Sequence, residues 1–81
     1  MNKKLIMLDT LSKGQKAKIK KIRTDGKLLR RLLDMGFVMN SEIEVIREAP
    51  LFDPMELKIQ NYYISIRKSE ASLIEVKIWS K

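Results

Sequence analysis

The side chains of this sequence that could do chemistry are mostly cations, and they crowd into its first third. Lys16, Lys18 and Lys20 alternate along "KAKIKKIR", and Arg30 and Arg31 stand side by side in "RRLLDMGF". Residues 1–31 carry 11 Lys and Arg against Asp9 and Asp25, a balance of +9. Residues 32–81 carry 6 against 8 acids, a balance of −2, so the formal net charge of +7 belongs to the N-terminal third. Such a distribution suits an acidic partner: nucleic acid, an anionic membrane surface or an acidic protein face. Catalytic chemistry is much more restricted. With 0 His and 0 Cys, the Ser-His-Asp and Cys-His arrangements are missing, as are imidazole acid–base work and the usual zinc and iron ligand sets. The acids Asp9, Asp25, Asp34, Asp53 and Glu70 are scattered and form no close dyad. The three glycines build no phosphate cradle, and Asp25–Gly26 begins no EF-hand loop. An all-oxygen site for a hard cation is the one metal option left open. The expectation is a protein that is not an enzyme, uses no cofactor and has no assigned metal site.

Those charges must be positioned by short elements. "KAKIKKIR" (16–23) places Ala17 and Ile19 on one face, then slips by one residue to reach Ile22. That slip predicts a strand with a bulge, as small barrels require. "TDG" (24–26) supplies a turn in which Asp25 or Thr24 can cap a helix. Leu28, Leu29, Leu32 and Leu33 then recur at helical spacing, and Gly36 is placed to end the helix with positive φ. Period two follows: Ile43 and Val45; Met55, Leu57 and Ile59; Tyr62, Ile64 and Ile66; Ile74, Val76 and Ile78 each share a face. Asn61 marks a tight turn before "YYISIR". The sum is about five short strands and one helix, which in 81 residues predicts an all-β fold: a small barrel or a two-layer β structure, with the helix inserted between the first two strands. The length suits one domain, 1–81, with its core over about 8–79.

Several features carry two readings. The lysine row Lys16, Lys18 and Lys20 is either a solvated or protein-docking strand face, or part of a nucleic-acid groove. Phe37, Phe52, Tyr62, Tyr63 and Trp79 all lie outside the basic third, so no aromatic is interleaved with the cations. Leu51 and Phe52, between Pro50 and Pro54, either fold back over one end of the barrel or stand exposed as a docking point. Met35, Met39 and Met55 read as adaptable core filler rather than thioether ligands. The run "LIML" after two lysines begins like a signal peptide but stops at Asp9, short of the usual 7–15 apolar residues. No segment reaches the ~20 apolar residues that span a bilayer. The expectation is a cytoplasmic protein with no membrane insertion.

Taken together, "LDTLSKGQKAKIKKI", "LLRRLLDMGF", "EIEVIREAPLFDPMELKI" and "YYISIRKSEASLIEV" resemble, in order and spacing, the ferrous iron transport protein A family, FeoA. The resemblance implies an SH3-like β-barrel and a cytoplasmic partner of FeoB, the membrane Fe²⁺ transporter with an N-terminal GTP-binding domain. It makes the chain an accessory or regulatory subunit of ferrous iron uptake. The alternative is a small basic barrel that binds nucleic acid, related to the SH3-like domain of metal-dependent repressors. The sequence departs from the family at Met39-Asn40, where Pro-Gly is usual, and at Phe52 and Asn61, where Gly is usual. Asn tolerates left-handed φ, so turns at 40 and 61 are expected to survive.

Arg30 and Arg31 pose a local puzzle. In "RRLLDMGF" read as a short helix they sit near the positive pole and Asp34 near the negative one, each opposing the macrodipole by about 0.3–1 kcal/mol. Pairing of either arginine with Asp34 is worth a few tenths of a kcal/mol. A further partner is therefore expected: Glu44, Glu48 or Asp53 across the barrel, or an acidic surface on the transporter. Arg30, Arg31, Leu51, Phe52, Lys16, Lys18 and Lys20 are the candidate partner-docking residues.

Overall fold

Apolar residues recur at every second position along most of the strands, so one face of each is greasy and must be covered. The computed structural model describes residues 5–47 and 54–78. Within them, six strands form one antiparallel sheet in the order β1-β6-β2-β3-β4-β5. The strands are β1 (Leu5–Met7), β2 (Lys16–Ile22), β3 (Glu42–Arg47), β4 (Met55–Ile59), β5 (Tyr62–Ile66) and β6 (Ile74–Ile78). Helix α1 (Gly26–Asp34) joins β2 to β3, and a four-residue helix α2 (Lys68–Ala71) joins β5 to β6. The sheet buries Ala17 and Ile19 of β2, Ile43 and Val45 of β3, Met55, Leu57 and Ile59 of β4, and Ile74 and Val76 of β6. Leu8, Leu11, Ile66 and Ala71, with Leu32 of α1 and the fully buried Phe37, complete that core. Register shifts between Ile19 and Lys21 and between Val45 and Arg47 let β2 and β3 bend around it. The slip read from "KAKIKKIR" is the first of these.

Three local expectations are corrected. A strand precedes the expected five: β1 runs antiparallel to β6, with Ile6 opposite Val76, so α1 follows the second strand of the sheet. At three residues it is too short to show a period. Asp25 takes the N-cap position, yet its side chain makes no capping hydrogen bond. Gly26, at φ +66°, interrupts the helical backbone that such a cap would need. In the turn between β4 and β5 the left-handed residue is Gln60 (φ 58°), not Asn61. Positive φ at only the first of two loop positions is the pattern of a II′ hairpin turn. At position 40 the expectation holds, with Asn40 at φ 68°.

The end of α1 is more regular. Gly36, at φ +105°, follows the C-cap Met35. The Gly36 N–H donates to the Leu33 carbonyl at 3.0 Å and the Phe37 N–H to the Leu32 carbonyl at 3.1 Å. This is the paired bonding of a Schellman motif, and it turns Phe37 into the core.

Candidate docking surface

The arginine puzzle resolves once the whole helix is seen. α1 begins at Gly26, four residues before Arg30, so Arg31 lies in the last turn. There the macrodipole favours a cation. Asp34, the last helical residue, still opposes the dipole and pairs with neither Arg30 nor Arg31. The Arg31 guanidinium instead reaches Glu70 of α2, Nη1 to Oε2, at 3.0 Å. Glu70 is buried, and its other oxygen accepts the Arg67 backbone N–H at 3.2 Å. One carboxylate thus ties α1 to the start of α2. The expected partner across the barrel is therefore replaced: Glu44 faces lysines, while Glu48 and Asp53 lie outside the described residues. Sequence reasoning missed Glu70 because Arg67 is not a capping residue type, so "RKSE" lacks the Ser or Thr that would announce a capping box.

Lys16 and Lys18 do project from one side of β2, but acids stand beside them. In register, Lys16 lies opposite Glu44, and Glu44 opposite Lys58 of β4; Lys18 lies opposite Glu42. Lys58 in turn sits over the Tyr63 ring, 5.8 Å from its centroid. Lys16, Glu42, Glu44, Lys58 and Gln60 line a shallow depression of about 240 Å³. Alternating charge compensates this face and leaves no cationic stripe along it. Lys20 is separate from that face, its Nζ donating to Asn40 Oδ1 at 2.8 Å. On β6, Glu75 is buried and takes an ion pair from Arg23. Among the described residues no group of three or more Asp or Glu side chains comes together as a metal site.

Positive charge is left over around α1. Lys27 and Arg30 make no ion pair with a carboxylate among the described residues, and Lys21 lies opposite Glu75, which Arg23 already engages. Next to them runs an apolar groove of about 270 Å³ between β2 and α1, lined by Ile19, Ile22, Leu29, Leu33, Phe37 and Met39 together with Lys21. Met39 is 62% exposed, so it is not the core filler expected of it, whereas Met55 is buried. Leu51 and Phe52, whose role was open between capping and docking, lie outside the described residues. No helix among the described residues is long and apolar enough to cross a membrane.

Comparison with known proteins bears on this arrangement. A family model, the FeoA domain, matches residues 6–78. Among curated proteins, the chain is 38% identical over 73 residues to the Fe(2+) transport protein A/Fe(2+) transporter FeoB fusion protein of Porphyromonas gingivalis. That match covers 90% of this chain and 9% of the relative, so the chain spans only a small part of that protein's length. The solution structure of a FeoA-like protein from Clostridium acetobutylicum superposes with a TM-score of 0.86 at 36% identity, covering 100% of this chain and 93% of that one. Two further structures share the fold. Stenotrophomonas maltophilia FeoA complexed with zinc, described as an SH3 domain protein, gives 0.77 at 23% identity over 88% of both chains. A manganese-dependent transcriptional repressor gives 0.87 at 16% identity over 98% of this chain and 44% of that one. The SH3-like fold that the family resemblance implied is thus borne out.

Proposed function

The chain belongs to the FeoA domain family, and from that premise we propose that it is an accessory protein of bacterial ferrous iron uptake. It docks on the cytosolic side of a FeoB-type Fe²⁺ transporter and biases that transporter's state. The observation that carries this reading is the relative in which a matching domain is continuous with a protein named as the FeoB transporter. Fusion holds two modules at high effective concentration, an advantage when they must associate. For a separate chain the corresponding device is a docking surface, and the unpaired cations beside an apolar groove supply one. The role is non-enzymatic and cytoplasmic. With 0 His and 0 Cys, the chain offers Fe²⁺ only oxygen and thioether donors, so iron is the transporter's cargo rather than this protein's ligand.

The test is uptake of radiolabelled Fe²⁺ by cells whose copy of this gene is deleted while the transporter remains. Uptake should fall and recover when the chain is supplied in trans. Unchanged uptake in the deletion strain would remove the accessory role. The nucleic-acid alternative is opposed by Glu42 and Glu44, which interrupt the lysines of the sheet face. Fluorescence anisotropy with random DNA and RNA separates the two, because micromolar binding that falls steeply with salt would favour the alternative.

A further inference from the structure

The groove beside α1 is the place where apolar surface and uncompensated charge coincide. Leu33, Val38 and Met39, 42%, 39% and 62% exposed, are three of the six large apolar or tyrosine side chains exposed among the described residues. All three lie in α1 or in the turn after it. At about 270 Å³ the groove falls just under the ~300–1,000 Å³ usual for small-molecule sites, and Lys21 is the one polar side chain in its lining. It offers no converging hydrogen bonds to orient a cofactor. It does offer room for the two or three apolar side chains that a helix presents at i, i+3 and i+4. Met39 adds a side chain that adapts to what packs on it.

Charge selects the occupant. Several cations on other faces are balanced: Arg23 by Glu75, Arg31 by Glu70, and Lys16 and Lys58 by Glu44 between them. Around the groove, Arg30 has no carboxylate partner among the described residues, Lys20 is bound only to the neutral Asn40, and Lys21 lies opposite Glu75, a carboxylate that Arg23 already engages. Against these three cations stand Asp34, next to Leu33, and Glu75, whose carboxylate is shared with Arg23, which leaves the rim net positive. A second copy of this chain, itself +7, would bring like charge to that rim. We propose that the groove receives the apolar face of an acidic amphipathic segment in the cytosolic part of the transporter. This rests on the docking reading above and adds to it the surface and the chemistry of the partner.

The experiment titrates the full-length ¹⁵N-labelled chain with the transporter's cytosolic domain at 50 and 500 mM NaCl. The wild-type chain is compared with Leu33→Asp, Met39→Asp and, outside the groove in the depression beside Glu44, Lys58→Ala. Expected are shifts centred on β2, α1 and Met39, weaker binding at the higher salt, at least tenfold loss for both Asp variants, and no loss for Lys58→Ala. Should Leu33→Asp fail to fold, the more exposed Met39→Asp carries the test. Wild-type binding that Met39→Asp leaves unchanged would overturn the groove while the docking reading stands. No wild-type binding at either salt would overturn the docking reading and the groove with it. Cosedimentation with phosphatidylglycerol vesicles that depends on Met39, without binding to the domain, would make the occupant lipid and refute the proposal.

Discussion

Glu70 holds two elements with its two carboxylate oxygens, one on Arg31 of α1 and one on the Arg67 amide at the start of α2. Its burial makes the pair asymmetric. Removing the carboxylate strands a half-exposed guanidinium, which water can solvate. Removing the guanidinium strands a buried carboxylate with one remaining donor. Losing a charge-assisted hydrogen bond in such a place costs about 1–3 kcal/mol. Arg31→Ala is therefore expected to lower stability by about 1–3 kcal/mol in urea unfolding. Arg31→Lys should recover only part, because a point charge replaces a planar fork. A stability unchanged in Arg31→Ala would mean that the pair does not hold α1. Nothing in the sequence near Arg31 reveals this partner. Glu70 lies 39 residues away, and only the return of the chain through α2 brings it under the helix.

At the scale of elements, the end of α1 and the start of β5 are interlocked. The Tyr62 hydroxyl donates to the Met35 carbonyl at 3.0 Å, satisfying one of the helix's orphan acceptors. A Cβ on Gly36 would lie 2.7 Å from that hydroxyl and would be forced to φ +105°. Gly36→Ala is thus expected to cost about 1–3 kcal/mol from backbone strain and displacement of the tyrosine. In a Tyr62→Phe background the steric share should vanish, so the two changes should be less than additive in a double-mutant cycle. Strict additivity would show that strain at φ alone sets the cost. The stop at Gly36 was legible in the sequence, since glycine after a leucine-rich helix has few other uses. The tyrosine lock was not, because alternation placed Tyr62 with Ile64 and Ile66 on one inner face. In fact Ile66 is buried while Tyr62 is largely exposed and leans on the helix end. The outer sheet face makes a second prediction. Glu44→Lys would line up three cations in the row of Lys16 and Lys58, destabilising by about 0.5–1 kcal/mol. The loss should shrink in 0.5 M NaCl, where the Debye length falls to a few ångströms.

Over the whole molecule, the strands of period two declared themselves because each buries one face and solvates the other. β1 and α2 did not, because three and four residues are too few to express any period. The basic first third was equally legible as composition, yet its meaning depended on the sheet. β3 brings Glu42 and Glu44 beside the lysines of β2, while Lys27 and Arg30 of α1 keep no carboxylate partner among the described residues. That placement required β2, α1 and the turn after it to meet in three dimensions, which no local pattern encodes. With one balanced face and one cationic, apolar flank, the molecule is proposed to bind through the flank. Salt should then weaken its association by screening, although the apolar contact persists. The most direct measurement is calorimetric titration of the chain into the intact detergent-solubilised transporter at 50 and 500 mM NaCl. Saturable binding that is tighter at the lower salt is the predicted result, and no heat of binding at either salt would contradict the account.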